Sequence, residues 1–455
     1  MSFIFGGSFS FARRVTRYSY KNASYCLAPE IVERVLDHLW TEPRALKMCS
    51  LTCSGWLPAT RLHLFRSVRI RSSYDCLRFT SLIISRTSMP ITFLQCVREI
   101  ILQDLPLRGI DMNSVARGFK KLRNVETLGI AFWPAVDLPA SLVDDLLRCF
   151  PNVTCLRMEE CEIEDPVQFV KLFCGFPKIS RIQVGDPKLS HRSEGLHPGF
   201  DQASMEPMRA ILCPRSLHKQ TPLPDLVIER LDLLLSKHAL RLAGVLCQPR
   251  FILRLRHLRV HWYCDYIDPL LYLLDNVVGN ALEKIELSIN SAGAGTAQSA
   301  LARVIRKLDV TNVRSLTIGK THLDRNIHPD TLTWIPTLIE HVIERSRHRV
   351  KLHFNIGYRE EFTGTSWKLF PWDSIDKLLG KLPARYARRG MNVRVEVWDP
   401  KPEGCWMTEN GAHRFCKEVE NQLPRSKCVV YDSRVHFSRP YRQASVECSM
   451  TVRAR

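Results

Sequence analysis

The sequence predicts an α/β protein in which a few N-terminal helices precede a series of strand–helix units that share a parallel sheet. Two observations lead to this prediction. Apolar residues recur at helical spacing between positions 27 and 65. After them, a short apolar pattern typical of a strand returns about every 28 residues, and helical segments separate many of its copies.

The composition sets limits on size and class. The chain has 455 residues, more than one ordinary domain, and its hydrophobic content of 45% is usual for a globular protein. No segment approaches the run of about 20 apolar residues that crosses a bilayer, so we expect no membrane anchor. The 16 cysteines are irregularly spaced without a CxxC pair, which favours a reducing compartment, cytoplasmic or nuclear.

The net charge of +19 favours acidic partners. Residues 1–29 contain no acidic side chain, a composition that overlaps with a mitochondrial transit peptide. We interpret residues 1–24 as a disordered basic tail. The basic residues lack the interleaved aromatic side chains that stack on bases. Nucleic-acid binding is therefore a minor alternative, and we expect no nucleic-acid partner.

The first helix is predicted from LAPEIVERVLDHLW at 27–40. Pro29 suits the first turn of a helix, where its missing N–H costs nothing, and Pro43 marks the break after the segment. At about 100° per residue, the apolar side chains from Ile31 to Trp40 cover an arc of about 180°. This arc is wider than the apolar stripe of a usual surface helix.

A second apolar segment, RALKMCSLTCSGWLPATRLHLF at 44–65, predicts two more short helices with a turn at Gly55 and Pro58. Three helices in about 40 residues rarely form a stable core alone. The additional apolar face is explained either by a partner protein or by the rest of the chain, and residue spacing leaves both explanations open.

The two segments together resemble an F-box, especially the fungal type. The family pattern is Leu-Pro-x-Glu-Ile, then leucines along the first helix, then a Cys-Ser-Leu-x-Cys run and a tryptophan. The matching positions here are Leu27, Pro29, Glu30, Ile31, Leu36, Leu39, Cys49, Leu51, Cys53 and Trp56. Ala28 departs from the pattern, because many members have proline there. We predict an F-box domain over residues 25–70.

F-box domains bind the Skp adaptor of cullin–RING (SCF) ubiquitin ligases. The resemblance therefore implies an Skp adaptor and cullin complex as partners, with no catalytic residue in this chain. By the same resemblance, the candidate adaptor-binding residues are Leu27, Pro29, Ile31, Leu36, Leu39 and Leu46. Trp56 is expected to hold the helices together. Spacing does not determine which apolar side chains face the adaptor and which face inwards.

Eight copies of the pattern apolar-x-x-apolar-x-apolar lie in the remainder of the chain. They are VREIIL at 97, VETLGI at 125, VTCLRM at 153, ISRIQV at 179, IERLDL at 228, LRHLRV at 255, LEKIEL at 282 and VRSLTI at 313. Most of the steps between them are close to 28 residues. The last three residues of each copy alternate as a strand does, and helices are predicted between copies, as at 141–152 and 300–312.

This arrangement resembles a degenerate leucine-rich repeat, which has one strand and one helix in each unit of about 20–29 residues. The copy at 153–163 matches the full repeat motif, whereas other copies lack its polar ladder residue. We predict a leucine-rich-repeat-like solenoid with a parallel sheet over residues 71–400. A proline-rich irregular insert at 185–224 interrupts it.

The end of the chain fits the pattern less well. KLHFNI at 351 and NVRVEVW at 392 predict two further strands, with a helix at 372–382 between them. Residues 401–455 are predicted to be a C-terminal cap or extension, with short strands around CVVYD and RVHFS.

No sequence motif predicts catalysis. The chain lacks GxSxG, P-loop, HExxH and dinucleotide-binding motifs, which favours a binding protein over an enzyme. Cys405, His413, Cys416 and Cys428 are spaced more widely than the paired ligands of zinc sites. We therefore expect no metal and no cofactor.

The strand pattern instead predicts a binding face. Apolar residues of each copy point into the core, so their neighbours point to the opposite, concave face. These neighbours include Gln183, Asp232 and Glu286. The candidate target-binding residues among them are Arg157, Arg181, Arg230, His257, Arg259 and Lys284.

Basic side chains outnumber acidic ones on this face, which predicts an acidic or phosphorylated target segment; an ordinary solvated sheet face is the alternative. The sequence therefore predicts an SCF substrate receptor, or alternatively a non-ligase scaffold that uses the same repeats.

Overall fold

The computed structural model describes residues 28–39, 42–52, 54–84, 92–103, 112–131, 140–159, 166–185, 226–233, 246, 251–263, 267–277, 281–290, 297–323, 332–358, 370–386, 390–399, 409–424, 426–438 and 443–453. The chain forms two compact units, Met1–Ile179 and Ser180–Arg455. The predicted tail at 1–24 and all of the predicted insert except Gly185 lie outside the described residues.

In the described part of the first unit, three short helices come first and form a small cluster. They are α1 (Pro29–His38), α2 (Pro43–Thr52) and α3 (Leu57–Arg66), and a 3-10 turn at Ser54–Trp56 leads into α3. The N–H groups of Ile31 and Val32 donate to the carbonyl of Ala28, which starts α1. Pro29 in the first turn leaves no intrahelical hydrogen bond unmade.

A compact apolar core joins these helices. Its buried side chains are Val32, Leu36, Leu46 and Leu64, and the half-buried side chains around them are Leu39, Cys49, Trp56, Ala59 and Phe65. Trp56 therefore packs between helices, as predicted. The buried Thr60 hydroxyl donates to the Trp56 carbonyl over 2.9 Å, and His63 Nε2 lies 3.1 Å from Asp37 Oδ1, which links α3 to α1.

The first unit continues with alternating strands and helices. They are β1 (Ser67–Ile70), α4 (Ser73–Ile84), α5 (Thr92–Cys96), β2 (Glu99–Gln103), α6 (Met112–Phe119), β3 (Thr127–Ala131), α7 (Ala140–Cys149), β4 (Cys155–Glu159) and α8 (Pro166–Gly175). The four strands pair in parallel and in chain order. Strand β1 lies inside the segment 25–70 and was not predicted.

Residues 28 positions apart make the same contacts in this unit. The Arg98 carbonyl accepts from the N–H groups of Glu126 and Thr127, and the Glu126 carbonyl accepts from those of Thr154 and Cys155. The turns before the strands repeat as well: Asn124 Nδ2 donates to the carbonyl of Gln95, and Asn152 Nδ2 donates to that of Arg123. The sequence period is therefore a structural period in this unit.

The second unit contains nine described strands and five described helices. They are β5 (Arg181–Gly185), β6 (Leu226–Leu233), β7 (Phe251–Tyr263), α9 (Ile267–Asp275), β8 (Lys284–Asn290), α10 (Ala297–Lys307), β9 (Ser315–Leu323), α11 (Trp334–Arg345), β10 (Lys351–Tyr358), α12 (Trp372–Leu379), β11 (Met391–Asp399), α13 (Glu409–Asn421), β12 (Lys427–Ser438) and β13 (Gln443–Arg453). A 3-10 turn at Ala384–Tyr386 precedes β11.

Strands β5 to β11 pair in parallel and in chain order. The last strand, β13, then lies between β11 and β12 and is antiparallel to both. Within the predicted cap at 401–455, strands β12 and β13 are thus part of the sheet of this unit. The buried Asp376 of α12 accepts hydrogen bonds from the N–H and hydroxyl of Ser426, which fixes the entry to β12.

The predicted α/β class with a mostly parallel sheet is confirmed. Each of the eight apolar patterns overlaps one strand, β2 to β9 in order. The helices predicted at 141–152, 300–312 and 372–382 are α7, α10 and α12, and the strands predicted at 351 and 392 are β10 and β11. The segments CVVYD and RVHFS are strand, as predicted, but they belong to one strand, β12, whose pairing shifts between Val430 and Asp432. Within the described ranges, no helix has the length and apolar content needed to cross a bilayer.

Candidate interaction surfaces

The wide apolar arc of α1 divides into an inner and an outer strip. Val32 and Leu36 form the inner strip and are buried in the helical core. Ile31 and Val35, one turn apart, form the outer strip and are 46% and 40% exposed. Leu39 lies half-buried at the edge of the core. The additional apolar surface inferred from the sequence is therefore this outer strip.

Two of the predicted adaptor-binding residues are corrected by this geometry. Leu36 is 0% exposed and Leu46 is 1% exposed, so both side chains belong to the core and cannot contact a partner while the cluster is folded. Ile31 lies at the surface, as the prediction requires. Leu27 and the side chain of Pro29 lie outside the described residues.

Further exposed apolar side chains lie on the other two helices. On α2, Met48 and Leu51 are three positions apart and are 66% and 80% exposed. On α3, Leu62 is 48% exposed. Scattered exposed apolar residues are ordinary, but these three short helices together expose five large ones, including Ile31 and Val35.

A second candidate surface lies on the outer face of the sheet in the second unit. Four of the predicted target-binding residues occupy one row there, because Arg181 pairs in register with Arg230, Arg230 with His257, and His257 with Lys284. Ser315 of β9 and Lys351 of β10 continue the row. We name these six residues the basic row.

Sequence reasoning missed Lys351, although it begins KLHFNI, which was predicted as a strand. The step from Ser315 to Lys351 is longer than the usual period, so the pattern did not reveal that the two residues are neighbours.

The next row along the strands carries nearly balanced charge. Its members are Gln183, Asp232, Arg259, Glu286, Thr317 and His353. Arg259 Nε lies 2.9 Å from Glu286 Oε1. Asp232 is buried rather than exposed as predicted, because the Arg230 guanidinium lies over it, with Nη2 3.0 Å from Asp232 Oδ2. The positive charge on this part of the sheet is therefore concentrated in the basic row.

Arg157 is not part of that row. It lies on β4 in the first unit, where Nε is 2.8 Å from Glu159 Oε1 and Nη1 is 3.4 Å from Glu99 Oε1. Two carboxylates therefore surround one guanidinium, and the local charge is negative rather than positive.

The pKa of His257 is lowered by burial and by the positive charges of the basic row around it. Burial lowers its pKa below the ordinary value, and the charges of Lys284 and Arg230 lower it further. Arg256 acts in the same direction, whereas Glu283 opposes it. Glu283 is bound to Arg256, with 2.8 Å between Nη2 and Oε1, and this contact is the main reason that the pKa of the Glu283 carboxyl is lowered. His257 is therefore neutral at pH 7.

Among the residues that the structure describes, no three His, Cys, Asp or Glu side chains are grouped so as to hold a metal ion. Of the four candidate ligands named above, Cys416 is buried on α13. Cys405 and the side chains of His413 and Cys428 lie outside the described residues.

Comparison with known proteins adds little. No family model matches the chain, and no curated protein matches it. Among solved structures, it is similar to a wild-type Trm5b from Pyrococcus abyssi at 12% identity, over 42% of this chain and 44% of that chain, with a TM-score of 0.14. The chain spans less than half the length of that structure, and a TM-score this low does not show a shared fold.

Proposed function

We propose that this chain is the substrate-recognition subunit of an SCF-type ubiquitin ligase. Its helical cluster binds the Skp adaptor, and its strand–helix units, which we interpret as a leucine-rich-repeat-like solenoid, bind a target protein. Other subunits transfer ubiquitin, so the chain itself needs no catalytic residue. Its irregularly spaced cysteines favour a cytoplasmic or nuclear location.

The outer strip of α1 is the observation that carries the proposal. Ile31 and Val35 are exposed on a helix whose opposite strip already fills the core of its own cluster. They lie in the segment whose residues resemble an F-box, on the helix that carries Pro29, Glu30 and Ile31 of the resemblance. A partner that covers them removes apolar surface from water, which contributes about 25 cal/mol for each Å² buried.

The test is a pull-down of purified Skp adaptor and cullin by the full chain. The double variant Ile31→Asp, Val35→Asp places two carboxylates at the proposed interface and should abolish adaptor recovery. The control is the double variant Tyr74→Asp, Leu77→Asp on α4, which adds the same charge at exposed apolar residues outside the helical cluster and should recover the adaptor normally.

Circular dichroism must show that both variants remain folded. Adaptor recovery at the wild-type level by the α1 variant would refute the proposal. Recovery of the adaptor without cullin would favour a scaffold that uses the same repeats outside a ligase.

A further inference from the structure

The basic row presents concentrated positive charge on the outer face of the second unit. Five of its six members are basic residue types, and four of them carry a positive charge at pH 7, because His257 is neutral; Ser315 is the exception. Arg181, Lys284 and Lys351 are exposed and form no ion pair with any residue in the described part of the chain. Arg230 retains side-chain exposure of 44% although Asp232 binds it. The row therefore has charge available for an anionic partner.

We propose that the basic row binds one face of an acidic α-helix in a target protein. This proposal rests on the target-binding role proposed for the second unit, and it specifies the conformation of the segment that this unit recognises. The carboxylates of such a helix would form ion pairs with Arg181, Lys284 and Lys351, and they would lie over His257.

The spacing of the row favours a helix over an extended peptide. Neighbouring strands lie about 4.8 Å apart, so the row from Arg181 to Lys284 spans about 14 Å. Side chains three and four residues apart on a helix are about 5–6 Å apart. This spacing is close to the distance between neighbouring strands, so each carboxylate would face one strand. An extended peptide presents side chains on one face about every 6.7 Å and is out of step by about 6 Å at the fourth basic residue. The full row to Lys351 spans about 24 Å, the length of a helix of about 16 residues.

The surroundings of the row favour a protein over a single-stranded nucleic acid. Proteins that bind single strands combine positive charge with aromatic side chains on which the bases stack. Neither the basic row nor the adjacent row from Gln183 to His353 contains an aromatic side chain other than the histidines. Its neighbours are instead carboxylates already bound to arginine, as Glu286 is to Arg259.

His257 makes the proposed contact sensitive to pH. Burial is the main reason that the pKa of the free imidazole is lowered, and the charges of Lys284, Arg230 and Arg256 lower it further, whereas Glu283 opposes them. A carboxylate placed over the row would raise the pKa of His257, so binding would take up a proton. Affinity should therefore rise as the pH falls from about 7.5 to about 6.

The test measures binding of fluorescent peptides to the full chain by anisotropy. One peptide is a helix of about 16 residues with glutamates three and four positions apart on one face, and its isomer distributes the same glutamates around the helix. We expect the one-face peptide to bind at least about tenfold more tightly, since each exposed ion pair contributes about two- to fivefold. A thymidine oligonucleotide of similar length serves as the nucleic-acid probe.

Matched variants connect binding to the row. Arg181→Gln, Lys284→Gln and Lys351→Gln together should weaken the one-face peptide about tenfold. The control, Arg345→Gln with Lys381→Gln and Lys417→Gln, removes the same charge from exposed positions outside the row and should change affinity less than about twofold.

Four outcomes would each overturn the proposal. The two peptides bind with equal affinity, or neither peptide binds. The row variant and the control variant lose equal affinity for the one-face peptide, or the oligonucleotide binds more tightly than that peptide. The row variant should still recover the Skp adaptor, so a failure of the acidic-helix proposal is distinguishable from a failure of the receptor proposal.

Discussion

Leu36 and Ile31 are isomeric side chains on the same helix, but only Leu36 is enclosed. Leu36 is 0% exposed and Ile31 is 46% exposed. Leu36→Ala removes buried atoms and leaves a cavity, which should cost about 2–5 kcal/mol of the free energy of unfolding of the helical cluster. In Ile31→Ala about half of the side chain is already in water, so the lost burial is worth about 1 kcal/mol. The higher helix propensity of alanine offsets about a few tenths of a kcal/mol of this loss.

Hydrogen exchange measured by mass spectrometry can separate the two variants, because it reports the stability of α3 (Leu57–Arg66) without requiring the whole chain to unfold. Leu36→Ala should lower protection of α3 at least about 30-fold, the equivalent of about 2 kcal/mol, whereas Ile31→Ala should lower it less than about fivefold. Equal losses would show that the chain itself covers Ile31. In that case the outer strip would not be a docking surface, and the adaptor proposal would lose its support.

Three further predictions concern the rest of the fold. Gly390 has a φ of 67°, and an added Cβ would lie 2.6 Å from Thr451 Cγ2, so Gly390→Ala should destabilise the second unit by about 1–3 kcal/mol in thermal unfolding. Burial lowers the pKa of His341 below 6.5, so the unfolded chain binds a proton there more readily than the folded chain does. The free energy of unfolding should therefore fall as the pH drops from 6.5 through the folded-state pKa. In melts recorded at several pH values, the stability of His341→Gln should fall less over this range than that of the wild type. Burial raises the pKa of the Cys149 thiol to about 11, so mass spectrometry should find it unmodified by iodoacetamide at pH 8 until the protein unfolds.

The parallel strands could be predicted because their sequence signal is local and repeated. Leu128 and Leu156 occupy the same position in successive strand–helix repeats of the first unit, and both side chains are buried. In the second unit, the arrangement of the last strands could not be predicted. Strand β13 (Gln443–Arg453) enters between β11 and β12 in the opposite direction, and this pairing joins segments far apart in the chain. No periodicity in β13 encodes which strands will be its neighbours.

The candidate surfaces were predicted only in part for a related reason. A helical wheel gives the width of the apolar arc of α1, but the packing of α3 against it decides that Leu36 faces inwards and Ile31 outwards. On the sheet, alternation correctly placed Arg181 and Lys284 on the outer face. It could not show that Asp232 is buried, because that burial depends on how the long Arg230 side chain folds back over it.

The neighbouring arginines of the basic row are expected to lower the stability of the sheet that carries them. Like charges directly opposite each other on neighbouring strands are destabilising, by up to about 1 kcal/mol for a pair. Arg181 lies opposite Arg230 in this way, whereas His257, which lies opposite Lys284, is neutral at pH 7 and adds no such repulsion. The apolar residues beneath the row, such as Ile182 and Ile285, already hold these strands together and are buried. Folding therefore does not require positive charge above them, and replacing it should raise stability, the opposite of the effect at Leu36. A surface feature that costs stability is what a binding function would explain.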